Sequence, residues 1–494
     1  MKNNQDVTAS SSSLSPLHWR KAWLHIDQNS KAIEFAKTII GKFALHAVFI
    51  FVMALSQQFS NSALGLISLT IIAVAILPKY RTLIIVLASV FYLVLRPFRV
   101  DGWSNLLNDK VSELPLNLSP YIWQFCTVGA FLCFAFLFLK SLHWQRTAWI
   151  AKRPVLSLIL IWSGIALIAL LGPNQGYLSA FLWSFAGVFV SSLWFLAYAA
   201  VDEKSKDQTS ILARSGFMRP FWGGSATPIG KSFGYLNKFD AKDADELAIT
   251  RLKAIKLIVW ALILTGAMHV MEFVARQYFQ LPTLQTIILA HADGNAFATF
   301  TNWSSLIYNY FLDLVVIAIW GHFIVAVIRM IGYRVPRNTR NPLASRTLAE
   351  FWNRYFFYFK ELLVDFFFYP TFVRYFKKIP KLRIAFATFC AACLGNFLYH
   401  FARDTFHFAS MPFMDALAIF QSAAVYSVLL ALGLIISQLN PYKPKPQDGF
   451  FRYEVLTRLN VIGFFCFLKI FDDMSGEGTV VERIAFLIGL FSGQ

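Results

Sequence analysis

The sequence predicts an all-α polytopic membrane protein with about 10–12 transmembrane helices and one further, re-entrant segment. The chain of 494 residues is 57% hydrophobic and only 15% charged, whereas an ordinary globular domain is roughly 45–50% apolar and about 25% charged. Its apolar residues fall in runs close to the ~20 residues that a helix needs to cross the hydrocarbon core of a bilayer. These two observations exclude a soluble enzyme.

Ten apolar runs are the candidate transmembrane helices. In chain order they are 39–56, 62–78, 82–96, 118–139, 155–172, 177–199, 255–273, 306–328, 384–402 and 413–437. Two shorter apolar pieces close the chain and are either interfacial or two further helices, 459–471 and 480–492. We divide the chain into a cytoplasmic N-terminal segment, N-terminal transmembrane helices, a cytoplasmic loop region and a C-terminal transmembrane catalytic core, which are 1–38, 39–199, 200–254 and 255–494.

The formal charge of +18 is an orientation signal rather than a sign of nucleic-acid binding. The basic residues collect in alternate connections between the apolar runs, as the positive-inside rule expects for cytoplasmic loops. The N-terminus is then cytoplasmic, and its first 38 residues have a run from Ser10 to Ser13 but no apolar core of a signal peptide. We expect a multi-pass protein of the bacterial inner membrane, with membrane lipid as a partner and no nucleic acid.

Residues 351–376, here called the aromatic segment, do not fit the pattern of the other apolar runs. The segment contains fourteen aromatic residues and also five charged ones, and charges are unfavourable near the middle of a lipid-facing helix. Both flanks are strongly basic, so both ends should lie in the cytoplasm. We expect a re-entrant segment beside a protein-lined cavity that opens to the cytoplasm. An amphipathic surface helix is the alternative interpretation.

The connection 200–256 is the largest polar region, with ten basic against seven acidic residues. Its Gly-rich stretch is not a nucleotide-binding P-loop, because five residues instead of four separate Gly224 from Gly230 and no apolar strand precedes them. Two interpretations stay open. One is a structured loop at the membrane face, with Arg219 and Lys231 available to anionic groups, and the other is a simple solvated loop.

Histidines inside apolar runs are the main candidates for chemistry, because an intramembrane ionisable residue is a functional candidate by default. His400 lies about 24 Å along a helix that begins near Ile384, and a neutral imidazole suits general-base work near neutral pH. A hydrogen-bonded structural histidine is the alternative. His269 and Glu272 are three residues apart on one helix and are expected to make a local polar contact. No metal site is predicted, because further ligands are not recognisable.

The run from Asn341 to Pro370, followed by His400, resembles the membrane-bound O-acyltransferase family, usually called MBOAT. The matching pieces are Asn341-Pro342-Leu343, Phe351-Trp352-Asn353-Arg354, Asp365-Phe366-Phe367-Phe368-Tyr369-Pro370 and His400. Asn353 and His400 are 47 residues apart, an interval of the kind that the family shows between its two signature polar positions. Bacterial members carry Arg-Trp-His where this chain has Arg354-Tyr355-Phe356, and the loss of that His resembles the branch that esterifies sterols and diacylglycerol.

The resemblance implies an MBOAT-like fold and acyl transfer from a cytoplasmic thioester, acyl-CoA or an acyl carrier protein, to a hydroxyl of a glycan, lipid or secreted metabolite. His400 is then the general base and Asn353 the second catalytic residue. Four residues are expected to bind substrate: Trp352, Arg354, Asp365 and Asn396. The thioester is a co-substrate, and no cofactor is permanently bound. A transporter or flippase for a glycan or lipid precursor and a non-catalytic MBOAT-like scaffold are the alternatives.

Overall fold

A computed structural model describes residues 23–114, 119–145, 147–203, 208–223, 231–440, 444–473 and 476–492. The chain is 80% helical. Within the described ranges there is no β-strand, and the single isolated bridge joins Asp240 to Tyr333. This confirms the predicted all-α class.

Eight helices within these ranges are long and apolar enough to cross a membrane. They are Pro78–Leu95, Pro120–Trp144, Pro154–Leu171, Tyr177–Asp202, Ala244–Tyr278, Thr299–Met330, Pro380–Ser410 and Phe413–Leu439. A ninth is counted if Ser30–Lys37 and Ile39–Leu55, bent by 96°, act as one span. The protein is therefore a multi-pass membrane protein.

The number of long helices is smaller than the 10–12 predicted, although each of the ten predicted runs coincides with a helix. The run 62–78 forms Asn61–Ile76, whose 16 residues extend about 24 Å and fall short of the ~30 Å hydrocarbon core. The two terminal pieces form Thr457–Leu468 and Val480–Ser492, which have only 12 and 13 residues. Hydropathy located these helices, but their length is too small for a straight crossing.

Shorter helices connect and flank the long ones. They include Asp101–Ser112, Ile211–Gly216, Phe233–Lys238, Leu284–Ala292, Leu348–Tyr355, Phe357–Leu363 and Tyr369–Arg374. Wider π-helical turns, which are often found at functional sites, interrupt the helices at Phe273–Tyr278, Val364–Phe368, Cys390–Gly395 and Phe451–Leu456. The turn Val364–Phe368 lies in the aromatic segment, and the turn Cys390–Gly395 directly precedes the helix that carries His400.

Tyr177–Asp202 is the central helix of the bundle. Its most apolar stretch is 89% buried within the protein, whereas the corresponding stretch of Pro154–Leu171 is only 28% buried. A peripheral helix of this kind leaves its apolar side chains to lipid, while the central helix is surrounded by other helices. The central helix contributes Trp194 and Tyr198 to the candidate site.

Ion pairs gather at one end of the bundle, here called the basic end. Arg81 makes two hydrogen bonds to the Asp240 carboxylate, at 2.8 and 2.6 Å. Arg334 Nη1 lies 2.7 Å from Glu246 Oε1. Connections that the charge pattern assigned to one side of the membrane therefore meet in space.

The described parts of the stretch 208–236, here called the Arg219 loop, enter the bundle from the basic end. Its aromatic side chains Phe217, Phe221, Trp222 and Phe233 are at most 2% exposed. Arg219 Nη1 donates a hydrogen bond to the carbonyl of Pro97 at 3.0 Å. The solvated-loop interpretation is wrong for the described part, because its large apolar rings are buried among helices. Gly224 to Gly230 lie outside the described residues.

Candidate functional site

The helix that carries His400 begins after a π-helical turn of small residues. This turn, Cys390–Gly395, packs against the π-helical turn Val364–Phe368 of the aromatic segment. A Cβ atom added at Gly395 would lie 2.6 Å from the Phe367 ring, so glycine is what allows this close approach. The aromatic segment and the His400 helix are thereby held together.

The His400 imidazole is held among aromatic rings. The ring centroids of Tyr399 and Phe359 lie 5.4 and 6.3 Å from that of His400. His400 Nδ1 is buried and has no hydrogen-bond partner among the described residues. A buried nitrogen without a partner is unfavourable by about 1–3 kcal/mol, and it is available to accept a proton or a ligand's hydrogen bond. The Nδ1 side of the ring is therefore not held by a hydrogen bond within the described part of the chain.

A group of charged side chains lies near His400, formed by Lys469, Asp313 and Asp472 and here called the Lys469 cluster. Lys469 Nζ lies 3.0 Å from Asp472 Oδ2 and also makes an ion pair with Asp313. The side chains of Asp313 and Asp472 are 40% and 39% exposed, although both are placed among helices of the bundle. The cluster therefore borders water-accessible space rather than dry core.

The charges in this cluster support one another. Burial opposes the charge on Asp472, but Lys469, His400 and Arg403 outweigh it and hold the pKa of this carboxyl below its ordinary value. Burial also opposes the charge on Lys469, yet Asp472 and Asp313 raise the pKa of this ammonium. Asp472 also interacts electrostatically with His400, where a carboxylate favours an imidazolium, whereas the neighbouring Arg403 opposes one.

Of the sequence-predicted residues, Trp352 is connected to His400 through a row of aromatic rings. Trp352 is 8% exposed, and its ring lies 6.0 Å from that of Phe359, which in turn contacts His400. Asn396 is 1% exposed and one helical turn before His400. Its Nδ2 donates to Ser427 Oγ at 3.5 Å, and its Oδ1 has no partner among the described residues.

Asn353 and Arg354 point elsewhere. Asn353 is exposed on the helix Leu348–Tyr355, and within the described ranges no hydrogen bond joins it to His400. Arg354 pairs with Glu350 at 2.5 Å on the same helix. The structure does not bring Asn353 to His400, and its catalytic role stays a prediction.

Asp365 belongs to a second location, a groove at the basic end. It accepts hydrogen bonds from Lys231 Nζ at 2.8 Å and from the Tyr198 hydroxyl at 3.2 Å. The groove, here called the basic groove, has a volume of 770 Å³ and is lined by five basic and two acidic residues: Lys152, Arg153, Lys231, Lys238, Arg374, Asp202 and Asp365. Aromatic rings, including Tyr235 and Phe366, complete its walls.

Stacked rings connect the basic groove with the His400 helix. Trp194 of the central helix stacks on Phe366 at 5.9 Å and on Tyr399 at 6.0 Å. Phe366 lines the groove and Tyr399 adjoins His400. The two locations are thus neighbours on opposite sides of one indole ring.

The Lys469 cluster was missed by the sequence analysis, although a signal for part of it exists. Asp313 is the only charged residue in the predicted run 306–328, and a lone charge inside such a run is a functional candidate. Lys469 and Asp472 sit at the end of a short apolar piece, where charged residues are ordinary. Their pairing with Asp313 could not be recognised, since it depends on how distant helices pack.

The predicted contact between His269 and Glu272 is confirmed, with Nδ1 and Oε2 3.6 Å apart. Both side chains are exposed, at 61% and 45%. Across the described part of the chain, no group of three or more His, Cys, Asp or Glu side chains has the arrangement of a metal site.

Comparison of the chain with protein-family models and with curated proteins finds no match.

Proposed function

We propose that this protein is a membrane-bound O-acyltransferase of the MBOAT type, with His400 as general base. The observation that carries the proposal is the state of His400, whose Nδ1 is buried beside a charged cluster and has no partner among the described residues. The motif resemblance and this geometry point to the same residue. The acyl donor is a thioester, either acyl-CoA or an acyl carrier protein, and the acceptor is a hydroxyl.

The proposed reaction is a single displacement. His400 takes the proton from the acceptor hydroxyl, and the resulting oxygen attacks the thioester carbonyl. The C–S bond then breaks, an O-ester forms, and the leaving thiolate receives the proton. Asp472 stabilises the imidazolium that exists between the two proton transfers. Asn353 is retained as the second catalytic residue on the basis of the motif alone.

The basic groove is the proposed entrance for the acyl donor. Its five basic residues exceed its two acidic ones, which suits phosphates or the acidic surface of a carrier protein. Lys231 is already neutralised by Asp365 and Glu361, at 2.8 and 3.2 Å. Arg153, Lys238 and Arg374 are the cations that we expect to meet the donor.

The test is transfer of a labelled acyl group from acyl-CoA or acyl carrier protein by the purified protein. We expect His400→Ala to lower the rate by about 10²–10⁴-fold, the usual contribution of a general base. His269→Ala is the matched control, because this histidine is 61% exposed and pairs only locally. An unchanged rate in His400→Ala removes His400 from the mechanism. Absence of transfer from both thioesters, together with movement of a glycan or lipid precursor across vesicles, establishes a transporter instead.

A further inference from the structure

Two arginines lie in the interior of the bundle without a carboxylate partner among the described residues. Arg99 and Arg219 are each 6% exposed. Arg99 Nη1 donates to the Tyr399 hydroxyl at 2.9 Å, and its Nη2 has no partner. Arg219 donates to the carbonyl of Pro97 at 3.0 Å and also interacts with Tyr92, whose ring centroid lies 5.5 Å from the guanidinium carbon. The rest of the Arg219 loop supplies no countercharge either, because residues 208–236 contain no Asp or Glu.

An interior cation without a countercharge is strongly unfavourable, so buried charges in proteins are normally paired. Burial, together with the charges of Arg99 and Arg96, lowers the pKa of Arg219 to about 10, and Tyr92 only partly opposes this. The guanidinium is nonetheless charged at neutral pH. Arg96 also adds positive charge here, and its partner Asp101 is 3.8 Å away and 88% exposed. Three arginines thus share a region with little negative charge.

Two other buried arginines, Arg251 and Arg329, also have no ion pair with a carboxylate in the described part of the chain. They are 6% and 9% exposed. Arg251 Nε donates to the carbonyl of Met330 at 3.4 Å, and Arg329 Nη2 donates to that of Val335 at 2.8 Å. Met330 ends a helix, where carbonyls carry partial negative charge. What distinguishes Arg219 is that it lines a cavity which neither of these two arginines lines.

The cavity beside Arg219 has a volume of 190 Å³. Arg96 and Arg219 line it together with Tyr92, Gln58 and Ser60, and rings including Phe59 and Trp320 form its apolar walls. A cavity of about 150 Å³ admits benzene, so this one has room for a phosphate group or a carboxylate with its adjoining atoms. It combines the buried Arg219 and the more exposed Arg96 with neutral hydrogen-bonding groups and apolar walls, as small-molecule sites do.

We propose that this cavity binds the phosphate or carboxylate group of a polar ligand, with Arg219 and Arg96 as countercharges. The ligand supplies the negative charge that the chain itself lacks at this place. Arg99 lies two residues after Pro97, whose carbonyl accepts a hydrogen bond from Arg219. Arg99 itself donates to the hydroxyl of Tyr399, next to His400, so the positive region extends from Arg219 toward His400. Binding of the anion does not depend on acyl transfer, so failure of either proposal leaves the other intact.

The experiment measures the thermal unfolding midpoint of the full-length protein in detergent at neutral pH. Sodium phosphate and sodium glucuronate are titrated separately, and sodium chloride at matched sodium concentration is the reference. We expect a saturable rise in the midpoint beyond the chloride reference. A rise with phosphate alone identifies a phosphate site, a rise with glucuronate alone identifies a carboxylate site, and a rise with both identifies an oxyanion site.

Three variants make the result specific. Arg219→Gln and Arg96→Gln are each expected to weaken the apparent affinity by about tenfold or more, since hydrogen bonds between charged groups are the strong ones. Arg251 is equally buried but does not line this cavity, so Arg251→Gln is expected to bind the anion as the wild type does. Arg96→Gln decides the matter if Arg219→Gln does not fold, because the Arg96 side chain is 57% exposed. No saturable rise in the wild type, or equal affinity in Arg96→Gln, overturns the proposal.

Discussion

The aromatic segment and the described part of the Arg219 loop both pack inside the bundle without belonging to the eight long apolar helices, but only the aromatic segment carries carboxylates. Its Glu361 and Asp365 neutralise Lys231 of the Arg219 loop. The Arg219 loop inserts Arg219 beside Arg96 and Arg99 with no carboxylate of its own. The comparison teaches that a buried cation by itself does not mark a ligand site. The absence of a countercharge, next to a cavity, is the more informative feature.

The largest expected effect comes from breaking the ion pairs of Lys231 with Asp365 and Glu361. Lys231→Met removes the cation that both Asp365 and Glu361 contact, and we expect the free energy of unfolding to fall by about 3 kcal/mol. This is the lower end of the usual range, because the two carboxylates keep 31% and 25% exposure. Equilibrium unfolding in a mixed-detergent titration measures the change.

Lys238→Met is the control for this prediction. Lys238 lines the same groove and is exposed, and we expect a change below about 0.5 kcal/mol. Equal losses in the two variants would contradict a specific role for the buried pair.

The next effect concerns the contact between the aromatic segment and the His400 helix. Gly395→Ala places a methyl group against the Phe367 ring, and overpacking of this kind lowers stability by about 1–3 kcal/mol. Gly129→Ala is the control, because nothing lies within 4 Å of a Cβ at that position. We expect Gly129→Ala to raise the stability of the protein, because alanine is more favourable than glycine inside a helix. Thermal unfolding of both variants tests the prediction, which fails if Gly395→Ala is as stable as the wild type.

A smaller effect, with the opposite sign, is expected in the Arg219 loop. Arg219→Met removes a buried cation that has no carboxylate partner among the described residues. Replacing buried charge by apolar volume often stabilises a protein by about 1 kcal/mol or more. In chloride alone, we expect the unfolding midpoint of this variant to equal or exceed that of the wild type. A loss as large as that of Lys231→Met would show that the two cations do not differ.

The smallest effect is a pH dependence of the aromatic segment. Burial raises the pKa of Glu361, but Lys360 and Lys231 outweigh it and hold this pKa below its ordinary value of 4.5. Because the folded-state pKa is the lower one, the stabilisation is fully present above 4.5 and is lost as the pH falls through the folded-state pKa. We expect the ion pairs of Glu361 to contribute about 0.5 kcal/mol to the free energy of unfolding, as other partly exposed pairs do. Unfolding curves of wild type and Glu361→Gln should converge toward low pH, and a constant difference between them would contradict the assignment.

Much of the architecture was predictable because hydropathy is a local property. Each predicted apolar run, such as 177–199 or 413–437, coincides with a helix, since a continuous apolar stretch has few alternatives in a bilayer. The number of crossings was less predictable. Asn61–Ile76 is a helix of 16 residues, and whether so short a helix crosses depends on its surroundings.

The candidate site was predictable only in part. His400 could be selected from its place in an apolar run and from the motif resemblance. The Lys469 cluster near it could not, because Lys469 and Asp472 meet Asp313 only after distant helices pack. Asn353 shows the reverse case. It matches a motif position, yet the helix Leu348–Tyr355 leaves its side chain exposed and turns Phe351 and Trp352 inward.

The sequence by itself determined that this protein is helical, spans a membrane and concentrates its aromatic residues near Trp352 and its basic residues in the connections. Only the tertiary structure decided which charges are neutralised. Lys231 finds Asp365, and Arg219 finds no carboxylate among the described residues. The physical reason is that hydropathy acts along a single segment, whereas electrostatic pairing depends on distances of a few ångströms between segments far apart in the chain.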